Sequence, residues 1–168
     1  MIWQQSWRAD PFAREIADRH YSRQTVGATQ FVATGSCVVF KALTATGRAY
    51  WVTGWPKAEW VKHAWAGAWM CAAFRNEGAG LSSDLIRQAV AATRAYYGEP
   101  PSLGMVTFVD AAKTARGRSR TARPGQCFLA AGFDDVGQTA GGLHALQMLP
   151  EAMPAAEPAI GAQQGRVA

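Results

Sequence analysis

The sequence predicts an α/β (α+β) domain with a central mixed sheet flanked by helices, and three observations carry that prediction. An apolar run at residues 68–74 leads straight into the glycine loop Arg75-Asn76-Glu77-Gly78-Ala79-Gly80, and a helically spaced stretch follows at once. Two β-rich runs, 36–41 and 49–53, are separated by the turn-like Thr46-Gly47, which is a hairpin pattern. The 168 residues, 49% apolar and 17% charged, suit one domain able to bury its own core.

Along the chain, Asp10 is a good N-cap and Pro11 a good first helical residue, so residues 11–20 form a short helix ending near His20-Tyr21. The hairpin follows. The Trp-rich stretch 55–65 has no clean period and reads as loop or short helix. The run 68–74 is apolar enough for a buried strand. From Ser82 or Ser83 the stripe Leu85, Ile86, Ala89, Val90 and Thr93 marks a helix that Gly98 closes. Pro100-Pro101 turns the chain into a strand at 104–109, which ends at Asp110. Five cations lie between Lys113 and Arg123 with no bulky apolar residue among them, the pattern of an exposed loop. A short helix at 127–131, a turn at Gly132-Phe133 and a last strand at 143–149 complete a domain of residues 1–150. The Ala/Pro/Gln/Gly composition of 151–168 reads as a flexible C-terminal tail.

Lys and Arg number 17 against 12 Asp and Glu, a net charge of +5 that permits an anionic partner without requiring one. Cys37, Cys71 and Cys127 form no CxxC pair and read as reduced thiols. No basic segment with a following apolar run opens the chain, and no stretch approaches the roughly eighteen apolar residues of a membrane span. A cytoplasmic location and no membrane partner are expected. The absence of a G-x-S-x-G elbow, a zinc signature and a P-loop removes support for hydrolase, deaminase and kinase readings.

The order strand, Arg-x-x-Gly-x-Gly loop, helix carries the chemistry. Glycines let a backbone approach a phosphate, and the N–H groups and dipole of the following helix favour its charge. Arg75 can add a charge-assisted contact. The rival reading is an ordinary strand-to-helix turn. Ser82 and Ser83 are read most simply as helix caps, with contact to a donor as the alternative.

These elements resemble the GNAT (Gcn5-related N-acetyltransferase) superfamily, whose pyrophosphate-binding motif is (Gln/Arg)-x-x-Gly-x-(Gly/Ala) between a central strand and a helix. Arg75, Gly78 and Gly80 match it, and the strand 105–109 and the segment 128–133 resemble downstream elements. Many members carry a tyrosine that protonates a departing thiolate where this chain has Phe128, so the resemblance implies chemistry other than ordinary acetyl transfer. A narrower resemblance is to the phage Mom family, GNAT-like proteins that place a carbamoylmethyl group on the exocyclic nitrogen of adenine in DNA. Its matching pieces are His20-Tyr21-Ser22, Arg75, Ser82-Ser83 and Asp110, in that order. The segment 111–126 is longer here than in that family.

The resemblance implies an acyl-CoA or related activated donor held by Arg75, Gly78, Gly80, Ser82 and Ser83, and a double-stranded DNA acceptor in the cytoplasm of a host cell. It implies catalytic roles for His20, Tyr21 and Asp110. By residue chemistry alone, a histidine and a carboxylate can orient or deprotonate an amine, or with Tyr21 hold a metal such as iron. The plainer readings are a histidine at a helix C-terminus and an aspartate that forms a turn. Lys113, Arg116, Arg118, Arg120 and Arg123 would grip phosphates, or form a solvated loop. Trp51, Trp55 and Trp60 are candidates to stack an extruded base, or core residues. Rival functions are a GNAT N-acetyltransferase acting on a small amine or protein, and a catalytically silent nucleic-acid-binding module.

Overall fold

The computed structural model describes residues 1–114 and 123–162. Arg116, Arg118 and Arg120 lie outside the described residues. Seven strands form one mixed sheet: β1 (Gln4–Ser6), β2 (Ser36–Leu43), β3 (Arg48–Trp55), β4 (Trp69–Glu77), β5 (Met105–Val109), β6 (Asp134–Gln138) and β7 (His144–Met148), in the order β1-β2-β3-β4-β5-β7-β6. All neighbours are antiparallel except β4 and β5. Among the described residues three α-helices, α1 (Pro11–Ala17), α2 (Ser82–Tyr97) and α3 (Gln126–Ala131), cover the faces.

The parallel pair follows from the connection: a return through a long helix brings β5 beside β4 in the same direction. Leu85, Ile86, Ala89 and Val90 of α2 pack into one core with Phe40, Trp51 and Trp69 from the sheet. On the opposite face α1 buries Ala13, Ile16 and Ala17 against Val39, Tyr50 and Val52. Trp51 Nε1 donates to Thr53 Oγ1 at 2.6 Å, and Thr53 bonds Thr93 of α2 at 2.9 Å, so these three buried polar groups satisfy one another, while the buried Trp69 Nε1 has no partner among the described residues.

Several sequence expectations hold at the level of elements. Asp10 caps α1 through the Phe12 N–H at 2.9 Å and is itself held by Ser6 and Lys41. The hairpin, the strands β4, β5 and β7 and the helices α2 and α3 stand where the pattern put them. Others change. Helix α1 stops at Ala17, three residues before His20, and the chain continues in turns. The N-cap of α2 is Leu81, with no side-chain cap, so Ser82 and Ser83 begin the helix rather than cap it.

The expected flexible tail is partly packed. Met153 and Ala159 are buried, and the Ile160 N–H donates to the Trp3 carbonyl at 2.8 Å while its own carbonyl receives the Gln5 N–H at 3.1 Å. Strands β1 and β6 have no apolar alternation to announce them: β6 is exposed at every position and sits at the sheet edge. Among the described residues no helix is long and apolar enough to cross a membrane.

Candidate active site

The one parallel pair is also the incomplete one. Strands β4 and β5 are in register at Trp69 with Met105 and at Met70 with Val106, and beyond that they separate. A cavity of about 820 Å³ opens between them, a size typical of small-ligand sites. Residues from both faces of the sheet line it.

A bulge in β4 decides which residues those are. Val52 of β3 opposes Ala73 and Thr53 opposes Cys71, leaving Ala72 as an extra residue. Trp69, Cys71 and Phe74 pack in the α2 core while Ala73 packs on the α1 side. Alternation then puts Arg75, opposite Tyr50, on the α1 side too. Without the extra residue Arg75 would face α2.

Four residues singled out in the sequence line this cleft together: His20, Tyr21, Arg75 and Asp110, with Ser82 and Lys113 at its margins. The His20 and Tyr21 rings stack at 4.6 Å, and His20 meets the edge of Tyr50 at 6.2 Å. Its Nδ1 lies 2.7 Å from Ser22 Oγ. Burial, reinforced by the nearby Arg75 charge, lowers the His20 pKa to about 4. His20 itself lies three residues past the end of α1. Burial likewise pushes the Tyr21 phenol up, while a hydrogen bond with the Asp110 backbone works the other way.

Asp110 does two things at once. Its Oδ1 accepts the N–H groups of Ala112 at 3.0 Å and Lys113 at 3.1 Å, and its carbonyl accepts from Thr114, so it is the turn-former of the plainer reading. Its Oδ2 lies 3.9 Å from Lys113 Nζ and the residue still lines the cleft. Lys113 and Arg123 are exposed on either side of the cationic segment.

The glycine loop is tightly built. Asn76 closes it: its Nδ2 donates to the Gly80 carbonyl at 2.8 Å and to Ser82 Oγ at 2.9 Å, and its Oδ1 accepts the Ala79 N–H at 2.9 Å. Gly78 has φ 84° and its carbonyl accepts Thr46 Oγ1 at 2.7 Å, while a Cβ on Gly47 would overlap the Glu77 carbonyl. Those positions need glycine because the hairpin turn lies directly on the loop. Gly78, Gly80 and Ser83 stand beside the cleft rather than in its lining. Leu81 offers no acceptor, so the first N–H groups of α2 are left for water or a ligand.

Arg75 is held by Glu77, Nε to Oε1 at 2.9 Å. Arg19, with Arg75 and Arg48 also bonded to it, holds the Glu77 carboxyl down at about 2. Phe128 forms part of an apolar floor with Phe74 and Phe133, at 6.0 and 5.3 Å between ring centres. Burial pushes the Cys127 thiol up, which leaves it protonated and a poor nucleophile at neutral pH.

Of the tryptophans offered as base-stacking walls, Trp51 is fully buried in the core and cannot serve, and Trp55 packs edge-on against Trp69 and Tyr97. Trp60 is the most exposed of the three, with 71% of its surface open to solvent. Among the described residues no group of three or more His, Cys, Asp or Glu side chains converges as a metal site would. Sequence reasoning missed Arg23 and Gln24, brought to the cleft by a loop that Arg23 pins through Asp18 at 2.8 Å and the carbonyls of Ala28 and Gln30. It also missed Asn76, which sits at an unspecified position of the glycine motif. No family model, curated protein or solved structure matches the chain.

Proposed function

We propose that this protein is a GNAT-like transferase that modifies the exocyclic amine of adenine in DNA, as the resemblance to the phage Mom family implies. One observation carries the reading: the 20–21 segment, the end of β4 and the end of β5, far apart in sequence, bring His20, Tyr21, Arg75 and Asp110 into one cleft beside the start of α2. An activated acyl-type donor fits this cleft, because uncapped helix N–H groups and a glycine loop locked by Asn76 adjoin Ser82 at its margin. When bound, such a donor would supply the electrophilic carbon.

The residues of the chain then have separate tasks. The adenine nitrogen forms the new bond and sheds one proton, while the bond to the leaving group breaks with its electron pair. Asp110 takes the proton. His20, neutral at physiological pH, and Tyr21 hold the base by hydrogen bonding and stacking. Phe128 has no proton to give a departing thiolate, so in this reading the leaving group takes its proton from solvent.

The test is nuclease digestion and mass spectrometry of DNA from cells expressing the protein. A modified deoxyadenosine is expected, and Asp110→Asn should lower its yield by about two orders of magnitude or more with the fold retained. Unmodified DNA in cells making folded wild-type protein rejects the reading.

A further inference from the structure

We propose that the loop joining β3 to β4 is a second nucleic-acid contact, in which Trp60 is a stacking platform for unpaired nucleotides next to the base that enters the cleft. The inference rests on the nucleic-acid reading of that cleft.

The loop has a defined shape. Trp55 Nε1 donates to the Gly67 carbonyl at 3.2 Å and draws its two ends together. At its outer part Trp60 ends a 3-10 turn, Ala58–Trp60, with 71% of its surface exposed. The indole thus presents a broad apolar face to solvent.

Its surroundings specify the partner. Lys57 Nζ lies 4.9 Å from the Trp60 ring centre, and Lys62 is exposed two residues further on, with Glu59 the single acid between them. Then the chain turns inward. His63 and Trp65 pack on Phe108, with ring centres at 4.8 and 5.8 Å, and Phe108 lines the cleft. The inner part of the loop thus touches a residue of the cleft wall, and Trp60 with the two lysines forms its outer part. With the Lys57 ammonium over one face of the indole, the other face suits a base and the ammonium its phosphate, which is how proteins hold unpaired strands. An extruded base leaves its neighbours partly unstacked, so a platform beside the cleft has a ligand to receive.

The test measures binding of the full chain to a fluorescein-labelled oligothymidylate of about 15 nucleotides by fluorescence anisotropy at several salt concentrations, with circular dichroism as the folding control. Trp60→Ala should weaken binding about tenfold, and Trp60→Phe should keep most of it, because one stack is lost and then restored. Lys57→Gln with Lys62→Gln should reduce the slope of log affinity against log salt by about 0.7 per lysine. Unchanged affinity in Trp60→Ala, or no binding by the wild type, overturns the proposal. DNA modification is scored separately. Modified DNA with a silent Trp60→Ala removes the platform and keeps the transferase, whereas Trp60-dependent binding with unmodified DNA does the reverse.

Discussion

His20 owes its character to its neighbours. Its folded pKa of about 4 lies below the ordinary 6.5, because burial and the Arg75 charge both penalise the imidazolium. The unfolded chain therefore takes up this proton first as pH falls. The stability that His20 contributes is complete above pH 6.5 and is lost progressively from there down to about 4. Replacing Arg75 with alanine removes one of the two causes, so the His20 pKa should rise part of the way towards its ordinary value. An NMR titration of the histidine ring protons in both proteins measures this, and an unmoved value would dissociate Arg75 from the His20 environment. Glu77 matters in the same way: its carboxylate keeps Arg75 at the cleft, and that hold persists down to about pH 2.

At the scale of elements, the glycine loop depends on one side chain. Asn76 makes three hydrogen bonds that tie it to Ala79, Gly80 and Ser82. Asn76→Ala should cost about 1–3 kcal/mol, since the Ala79 N–H loses its acceptor. It should also weaken donor binding, because the start of α2 is no longer fixed. Chemical denaturation reads the first effect and calorimetry with CoA donors the second. A stable variant with normal donor binding would show that the hairpin turn alone holds the loop. The strand before it shows how little local sequence reveals: residues 68–74 read as a buried strand, yet nothing in that apolar run marks Ala72 as the extra residue. The bulge arises from pairing with β3, and it sends Arg75 to the His20 side.

Over the whole molecule, the C-terminal segment links the sheet edge to α2. Met153 fills part of the α2 core, Glu157 donates its N–H to the Ala91 carbonyl at 3.2 Å, and Ile160 pairs with Gln4 of β1. Ending the chain after Ala152 should lower the melting temperature by about 5–10 °C, the effect of losing about 2–3 kcal/mol of apolar burial in a chain of this size. Thermal melting followed by circular dichroism measures it. No change would mean that the segment is an ornament on a complete core.

The sequence by itself determined the elements whose signal is local. The capped start of α1, the hairpin, the apolar stripe of α2 and the glycine loop follow from side-chain period, caps and turn residues, which act over a few positions. It also named His20, Tyr21, Arg75 and Asp110, though only as residues of suitable chemistry in a suitable order. Tertiary structure decided the rest. The polar strands β1 and β6 exist because neighbouring strands offer them backbone partners, and the Ala/Pro-rich tail is held because Met153 finds a hole in the core. The cleft itself comes from two parallel strands that separate after two paired residues and from the bulge that reorients one of them. Such features are properties of pairing between distant segments, and no short window of sequence carries them.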